Sequence, residues 1–328
     1  MDDMCAFSLG IDTSNYTTSV ALVDDKENII YNRGILLEVK SGERGLRQSD
    51  ALFQHVNNLP VLLENIPQGR EIKLICYSGR PRPLSDSYMP VFRAGESLAK
   101  SLAGVLTVPS LNVSHQENHI RAALYGSGSP TLEETFCAVH FSGGTSELIL
   151  VNKEKIGYRC EIIAQTLDLN AGQLIDRIGV AMGCAFPAGR AVEVLAEKAM
   201  LQELPKDCVI PSTMAGTDFH FSGQENQARN YLDRGFDPGI VAYQLLKAIA
   251  KTLAKSLMRL QEKHGFRSVL FSGGVMSNQI IKKCLLKELS HSGLRLCFSP
   301  GEYARDNALG NALLGMDYFR QLRNSREL

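Results

Sequence analysis

The feature that most constrains this chain is a short unit used three times: an apolar, strand-like run that ends in a turn of Ser, Thr and Gly. The fullest copy is AVHFSGGTSELILV at residues 138–151, where two apolar runs flank Gly143-Gly144 and read as a hairpin. Without a Cβ, a glycine pair lets backbone N–H groups come close to an anion. Residues 7–24 (FSLGIDTSNYTTSVALVD) repeat the order strand, polar turn, strand. Residues 269–279 (VLFSGGVMSNQ) run from strand through Ser272-Gly273-Gly274 into a helix start. A single such turn is ordinary. Three of them spread along the chain imply two related halves around one cleft, with a nucleotide phosphate as the expected ligand.

A length of 328 suggests about two domains. With 44% hydrophobic and 21% charged residues the chain can bury a full core. The formal net charge is zero, so any contact with RNA must come from local basic patches. Eight cysteines are scattered without a CxxC pair, and Cys76, Cys137 and Cys297 sit in apolar runs, which reads as reduced core thiols. No apolar run approaches a membrane span, and the start Met1-Asp2-Asp3 is acidic, unlike a signal peptide. The expected compartment is the cytoplasm, with no membrane partner.

Helical spacing of Leu52, Phe53, Val56, Leu59, Leu62 and Leu63 predicts a helix over 50–63 that Pro60 bends or ends. Residues 72–77 read as a buried strand, leading into a proline-stiffened basic loop with Arg80 and Arg82. A second helix is predicted over 91–105. Next comes the most chemically specific segment, Ser114-His115-Gln116-Glu117-Asn118-His119. Ser114 and Glu117 have capping-box spacing. In the helix they open, His115 and His119 project from one face and can share a divalent metal. Glu117 lies about 200° round from His115, unlike the glutamate of an HExxH peptidase, so it is assigned to the cap. Asp306, after a strand at 294–298, is a candidate third ligand.

Further on, a helix is predicted over 168–182 with Asp176 near its middle, where a salt bridge to Arg177 or Arg190 competes with a ligand role. Gly189 starts the next helix, a position suited to ribose or phosphate. The longest helix, 241–264, carries an apolar stripe of Leu245, Leu246, Ile249, Leu253, Leu257 and Leu260, stops at Gly265, and reads as plain packing. The tail, 311–328, reads as a mildly basic helix with Arg320, Arg323 and Arg326.

Together these motifs resemble the TsaD/Gcp family, ASKHA-fold proteins (actin, sugar kinase and Hsp70-like) that transfer threonylcarbamoyl to tRNA adenosine. LGIDTSNYTTSVALVD is similar to the family's ETSCDETGVAI, SHQENH to its HxExH motif, and FSGGTSEL to VSGGHTQL. NAGQLIDRIG with PAG resembles AAGEAFDK with PGG; FHFSG, SGGVMSN and RDNALGNA resemble FSFSG, GGVAAN and TDNAAMIA. The resemblance implies an α/β ASKHA fold of two duplicated lobes, each a mixed sheet with flanking helices, and a cleft between them. Lobe I would hold 1–134 plus 307–328 and lobe II 135–306. It implies metal at His115, His119 and Asp306: iron or zinc, or magnesium accompanying nucleotide. ATP or an acyl-adenylate would be held along His140, Phe141, Ser142, Gly143 and Gly144, at Asp176, Gly189 and Glu193, and at Gly273, Gly274 and Asn278. It implies tRNA as a partner, received by Arg80, Arg82 and the arginine-bearing tail, and a related subunit in a homo- or heterodimer.

Departures from the pattern bear on activity. The acidic pair of the family's CDET is replaced by Tyr16 and Thr17, its GEAFD glutamate by Gln173 and its SGGH histidine by Thr145, so no catalytic residue is assigned. Asp12 lies too close to its strand to read as a replacement. The expected activity is acyl transfer to tRNA adenosine. The alternative is a non-catalytic ATP- or ADP-binding paralogue acting as partner or regulator. A metallopeptidase is disfavoured because Glu117 is badly placed as a general base.

Overall fold

The computed structural model describes residues 6–14, 16–39, 46–84, 87–129, 132–201, 205–303 and 306–326. The chain forms two compact units, one of residues 1–130, 152–160 and 303–328, the other of 131–151 and 161–302. This division departs from the expected lobe boundaries in three places, the first being residues 131–134, which fall in the second unit. A hairpin tip at 152–160 is grouped with the first unit, and so is the segment that carries Asp306.

The first unit opens with a meander of β1 (Phe7–Asp12), β2 (Thr17–Asp24) and β3 (Ile29–Leu36), followed by α1 (Gln48–Glu64), β4 (Ile72–Arg80), α2 (Phe92–Leu106), β5 (Ser110–Ser114) and α3 (His115–Gly126). Its sheet has the order β3-β2-β1-β4-β5. β2 is antiparallel to β1 and β3, whereas β4 is parallel to β1 and β5. Every residue of β1 is buried although FSLGID alternates large apolar residues with Ser8, Gly10 and Asp12, because both faces of the strand are covered.

The second unit holds β6 (Thr135–Phe141), β7 (Ser146–Lys153), β8 (Tyr158–Gln165), α4 (Ala171–Ala181), α5 (Gly189–Ala199), the two-residue strands β9 (Met214–Ala215) and β10 (Asp218–Phe219), α6 (Ser222–Asp233), α7 (Pro238–His264), β11 (Ser268–Ser272), α8 (Gln279–Glu288) and β12 (Arg295–Phe298). Its main sheet runs β12-β11-β6-β7-β8, with β11 parallel to both β6 and β12. The two sheets therefore share one plan: a three-strand meander, then two parallel strands added beside its first strand. The repeated strand-turn unit of the sequence is the start of each plan.

Chain-terminal α9 (Leu309–Arg326) returns to the first unit and lies close on β1. A Cβ on Gly10 would sit 2.3 Å from the Ala308 carbonyl oxygen, so the close approach of helix to strand requires glycine there. Pro60 neither ends nor replaces a turn of α1, which runs on to Glu64. The carbonyl deprived of its partner belongs to Val56, on the exposed side of the helix, where water can satisfy it. Helix α7 follows its sequence closely: Asp237 caps it, Pro238 occupies the first turn, and Gly265 ends it at φ 71°.

Candidate metal centre and anion-binding turns

Helix α3 begins where β5 ends, and its capping box is formed. Glu117 N donates to Ser114 Oγ (3.2 Å), and Glu117 Oε2 accepts from Ser114 N (2.7 Å). The other oxygen, Oε1, accepts from Tyr158 N at 3.2 Å. The glutamate is thus consumed by backbone groups, as its spacing predicted.

One turn apart on α3, the His115 and His119 Nε2 atoms converge to 2.9 Å. Asp306 Oδ1 lies 3.3 Å from His119 Nε2 and 3.5 Å from His115 Nε2. One ligand atom from each of the three lies within 4.8 Å of the others. Two imidazole nitrogens and a carboxylate oxygen aimed at one point form a donor set suited to zinc or non-haem iron.

Behind His115 stands a residue that sequence reading set aside. Asp12, 1% exposed at the end of β1, accepts from His115 Nδ1 (2.8 Å) and Asn118 Nδ2 (2.7 Å) through Oδ2, and from Ser14 N (2.7 Å) through Oδ1. A carboxylate on Nδ1 fixes the tautomer whose Nε2 lone pair is free for a cation. Ser14 Oγ is also 2.8 Å from Nδ1. Asn118 carries the order further: its Nδ2 donates to the Asn307 carbonyl (2.6 Å) and its Oδ1 accepts from Asn311 N (2.8 Å). The residue between the two histidines therefore ties Asp12 to the segment bearing Asp306.

The electrostatics fit a cation site. Burial disfavours the His115 imidazolium, but Asp12 and Asp306 outweigh it and hold its pKa up to about 10. Burial raises and the two histidines lower the Asp306 carboxyl, which ends well below the usual carboxylate range. Asp12 is likewise lowered, burial being outweighed by His115 and the Ser14 hydrogen bonds. A site that holds positive charge this strongly on one imidazole can hold it on a metal ion instead.

In the second unit His140 to Gly144 lie at the C-terminal end of β6, and Gly273, Gly274 and Asn278 follow the end of β11, its parallel neighbour; open α/β sheets bind ligands at such an edge. Ser142 N donates to the Thr145 carbonyl (2.7 Å), closing the turn. Ser142 Oγ accepts from Gly144 N (3.3 Å) and Thr145 N (3.1 Å), so those two amides are engaged by the turn itself. His140 Nδ1 lies 3.3 Å from Ser272 Oγ on the neighbouring strand. Gly273, at φ 95°, packs where a Cβ would be 2.1 Å from the Phe141 carbonyl oxygen. At Gly143, Gly144, Gly189 and Gly274 a Cβ would meet nothing within 4 Å, so these backbones border open space.

Three other expected contacts have protein partners. Asp176 Oδ1 accepts from Ala188 N (2.7 Å) before α5, not from an arginine. Glu193 accepts from Arg190 Nη1 (2.7 Å) and Gln279 N (2.6 Å). Asn278 Oδ1 caps α8 through Ile280 N and Ile281 N, both at 3.0 Å. Gln173, in place of the family glutamate, accepts from Asn170 N at 3.2 Å in the first turn of α4.

The basic segments also differ from expectation. Arg320 is not a free surface charge: it donates to Glu27 Oε1 (2.7 Å) and the Asp25 carbonyl (2.8 Å). The Arg323 side chain is exposed, and that of Arg326 lies outside the described residues. Arg80 pairs in register with Ser114 and is half-buried beside the start of α3.

Paired five-stranded mixed sheets of one plan, flanked by helices, define an α/β protein of the ASKHA type. The activator of 2-hydroxyisocaproyl-CoA dehydratase from Clostridium difficile, solved with ADPNP, shares this fold at a TM-score of 0.51 and 15% identity, over 97% of both chains. HypF from T. kodakarensis does so at 0.61 and 14%, over 97% of this chain and 48% of its own. The family model TsaD, tRNA N6-adenosine threonylcarbamoyltransferase, matches residues 87–313, and the chain belongs to that family. Proteins of that description from Thermotoga neapolitana and Prochlorococcus marinus (strain MIT 9215) are 29% and 27% identical to it, over 94% and 98% of this chain and 93% of each relative.

Proposed function

We propose that this protein transfers a threonylcarbamoyl group from its adenylate to the N6 amine of an adenosine in tRNA, in the cytoplasm and together with a related subunit. The observation that carries the reading is the convergence of His115, His119 and Asp306 in a chain of this family. In the reaction a bond forms between N6 and the carbamoyl carbon. The bond from that carbon to the phosphate oxygen breaks, AMP leaves, and the N6 proton passes to water.

His115, His119 and Asp306 would hold one divalent cation, iron or zinc, which supplies Lewis acidity towards an acyl or phosphoryl oxygen. Asp12 keeps His115 turned towards that cation. The open backbones at Gly143, Gly144, Gly189 and Gly274 receive the adenylate phosphate and ribose, with Gly273 holding the second turn close against β6. His140 and Phe141 lead into that turn, and Asp176, Glu193 and Asn278 hold the surrounding helix starts in place. Mass spectrometry of nucleosides tests the reading after incubation with unmodified tRNA, threonylcarbamoyl adenylate and partner subunits. A metal-loaded protein that yields no modified adenosine with any partner would refute it.

One observation favours a second reading. Tyr16, 39% exposed, and Thr17 stand where the family has two carboxylates. On this reading the protein binds ATP or ADP and a metal as the non-catalytic partner of a related subunit. Calorimetry showing nucleotide binding without transfer distinguishes the two.

A further inference from the structure

Helix α7 has a second pattern besides its apolar stripe. Lys247, Lys251, Lys255, Arg259 and Lys263 occupy every fourth position, and Glu262 is the only acid among the 27 residues. A step of four residues advances about 6 Å and turns about 40°, so the series winds along one side of the helix. Its members run from half-buried at Lys247 and Lys251 to exposed at Lys255, Arg259 and Lys263.

Their partners are mostly uncharged. Lys255 Nζ donates to Ser212 Oγ (2.6 Å), Arg259 Nη1 to the Gly216 carbonyl, and Lys247 Nζ lies 5.8 Å from the centre of the Tyr243 ring. Among the described residues Lys251 alone of the five has a carboxylate within 4.0 Å, that of Glu288. Such contacts steady the side chains and leave the charge in place. Helix α8 extends the patch. Burial pushes the Cys284 thiol up, helped by Glu288, while Lys247, Lys251 and Lys287 pull against it, which puts Lys287 beside the series.

Like charges four apart weaken a helix as much as opposite charges strengthen it. A helix face that served only solubility would interleave glutamates. This one concentrates positive charge in a chain whose formal net charge is zero. We infer that the cationic face of α7 is a phosphate-backbone contact surface for tRNA, one that holds the acceptor by charge and not by base sequence. The inference rests on tRNA being the acceptor proposed above. A row of cations spaced along a rigid helix is suited to a polyanion, and backbone contacts of this kind position a nucleic acid without reading it.

The test is the salt dependence of unmodified tRNA binding by the full-length protein, measured by filter binding. Wild type is compared with the combined Lys247→Gln, Lys255→Gln, Arg259→Gln and Lys263→Gln variant, with each single substitution, and with a combined Lys247→Arg, Lys255→Arg and Lys263→Arg variant. The slope of log K against log salt should fall by about 3.6 in the combined Gln variant and by about 0.9 in each single one, and persist in the Arg variant. At about 0.1 M salt the combined Gln variant should bind on the order of 100-fold or more weakly. The single variants keep the test decisive if the combined one does not fold. A wild-type slope unchanged in folded Gln variants would overturn the inference alone and leave the face to an acidic protein surface. A wild type that does not bind tRNA would overturn both this inference and the reading of tRNA as acceptor.

Discussion

Replacing Asp12 by Asn should loosen the metal centre without touching a ligand. The carboxylate meets donors on both oxygens: Ser14 N on one, His115 Nδ1 and Asn118 Nδ2 on the other. An amide has one oxygen to share between these sides. If its oxygen faces Ser14, its NH2 confronts the Asn118 NH2 and forces Nδ1 of His115 to become an acceptor. The proton then sits on Nε2, where the cation should bind. If its oxygen faces His115 instead, the Ser14 amide is left against a second donor, at a cost of about 1–3 kcal/mol for a buried unpaired group. Either arrangement also removes the negative charge that favours positive charge on the ring. Loss of such a partner typically weakens metal binding about 10–100-fold, or about 1.4–2.7 kcal/mol. Competition with a chromophoric chelator measures this directly, and urea unfolding of the metal-free protein measures the stability cost. A folded Asp12→Asn protein with zinc and iron affinities within about threefold of wild type would refute the reasoning.

Restoring the family carboxylates with Tyr16→Asp and Thr17→Glu should raise adenosine modification, read by nucleoside mass spectrometry, and leave chelator-measured metal affinity unchanged, since neither residue supplies one of the three converging donors. Arg121→Met removes a 4%-exposed guanidinium paired with Asp317 (2.8 Å) and Glu27 (3.0 Å). Because Arg320 still faces Glu27, the loss in urea unfolding should be at the low end for a broken buried pair, about 3 kcal/mol. Burial raises the Asp168 carboxyl, but the Phe221 and Ser222 groups at the start of α6 outweigh it and hold its pKa down to about 2 against an ordinary 3.8. Asp168 is exposed, so solvent screening cuts its contribution to about 1 kcal/mol, present above pH ~4 and lost as the pH falls towards 2. Asp168→Asn should flatten that part of the stability profile, and an unchanged profile would refute the assignment.

Features carried by local spacing were legible in the sequence. His115 and His119, four apart behind a capping box, needed only helical periodicity to be paired. The three glycine or serine turns needed only a strand before each and a strand or helix after. Features made by contacts between distant segments were not legible. Asp12 lies 103 positions from His115 and Asn118 lies 189 from Asn307, and nothing in a strand-end aspartate or a mid-helix asparagine announces such a partner. Arg320 looked like a free basic residue because Glu27, 293 positions away, is invisible to any window. On α7 the apolar stripe accounts for the helix as plain packing, and a reading that follows only that stripe passes over the cations at every fourth position.

The shared sheet plan explains why the replaced acids do not unmake the centre. In each unit the first strand is followed by a turn to which the proposed function gives that unit's chemistry. After β6 the turn is glycine-edged and closed by its own serine hydroxyl. After β1 the last strand residue, Asp12, points into a network with His115 and Asn118. Tyr16 and Thr17 come later, where the chain has already left that network to begin β2. On the proposed function, the residue that would steady the cation site and the positions of the replaced acids are thus different parts of one turn. A chain can change Tyr16 and Thr17 and still be bound by the same packing to keep Asp12, because a half-buried imidazole pair without its carboxylate loses both its tautomer and its charge partner.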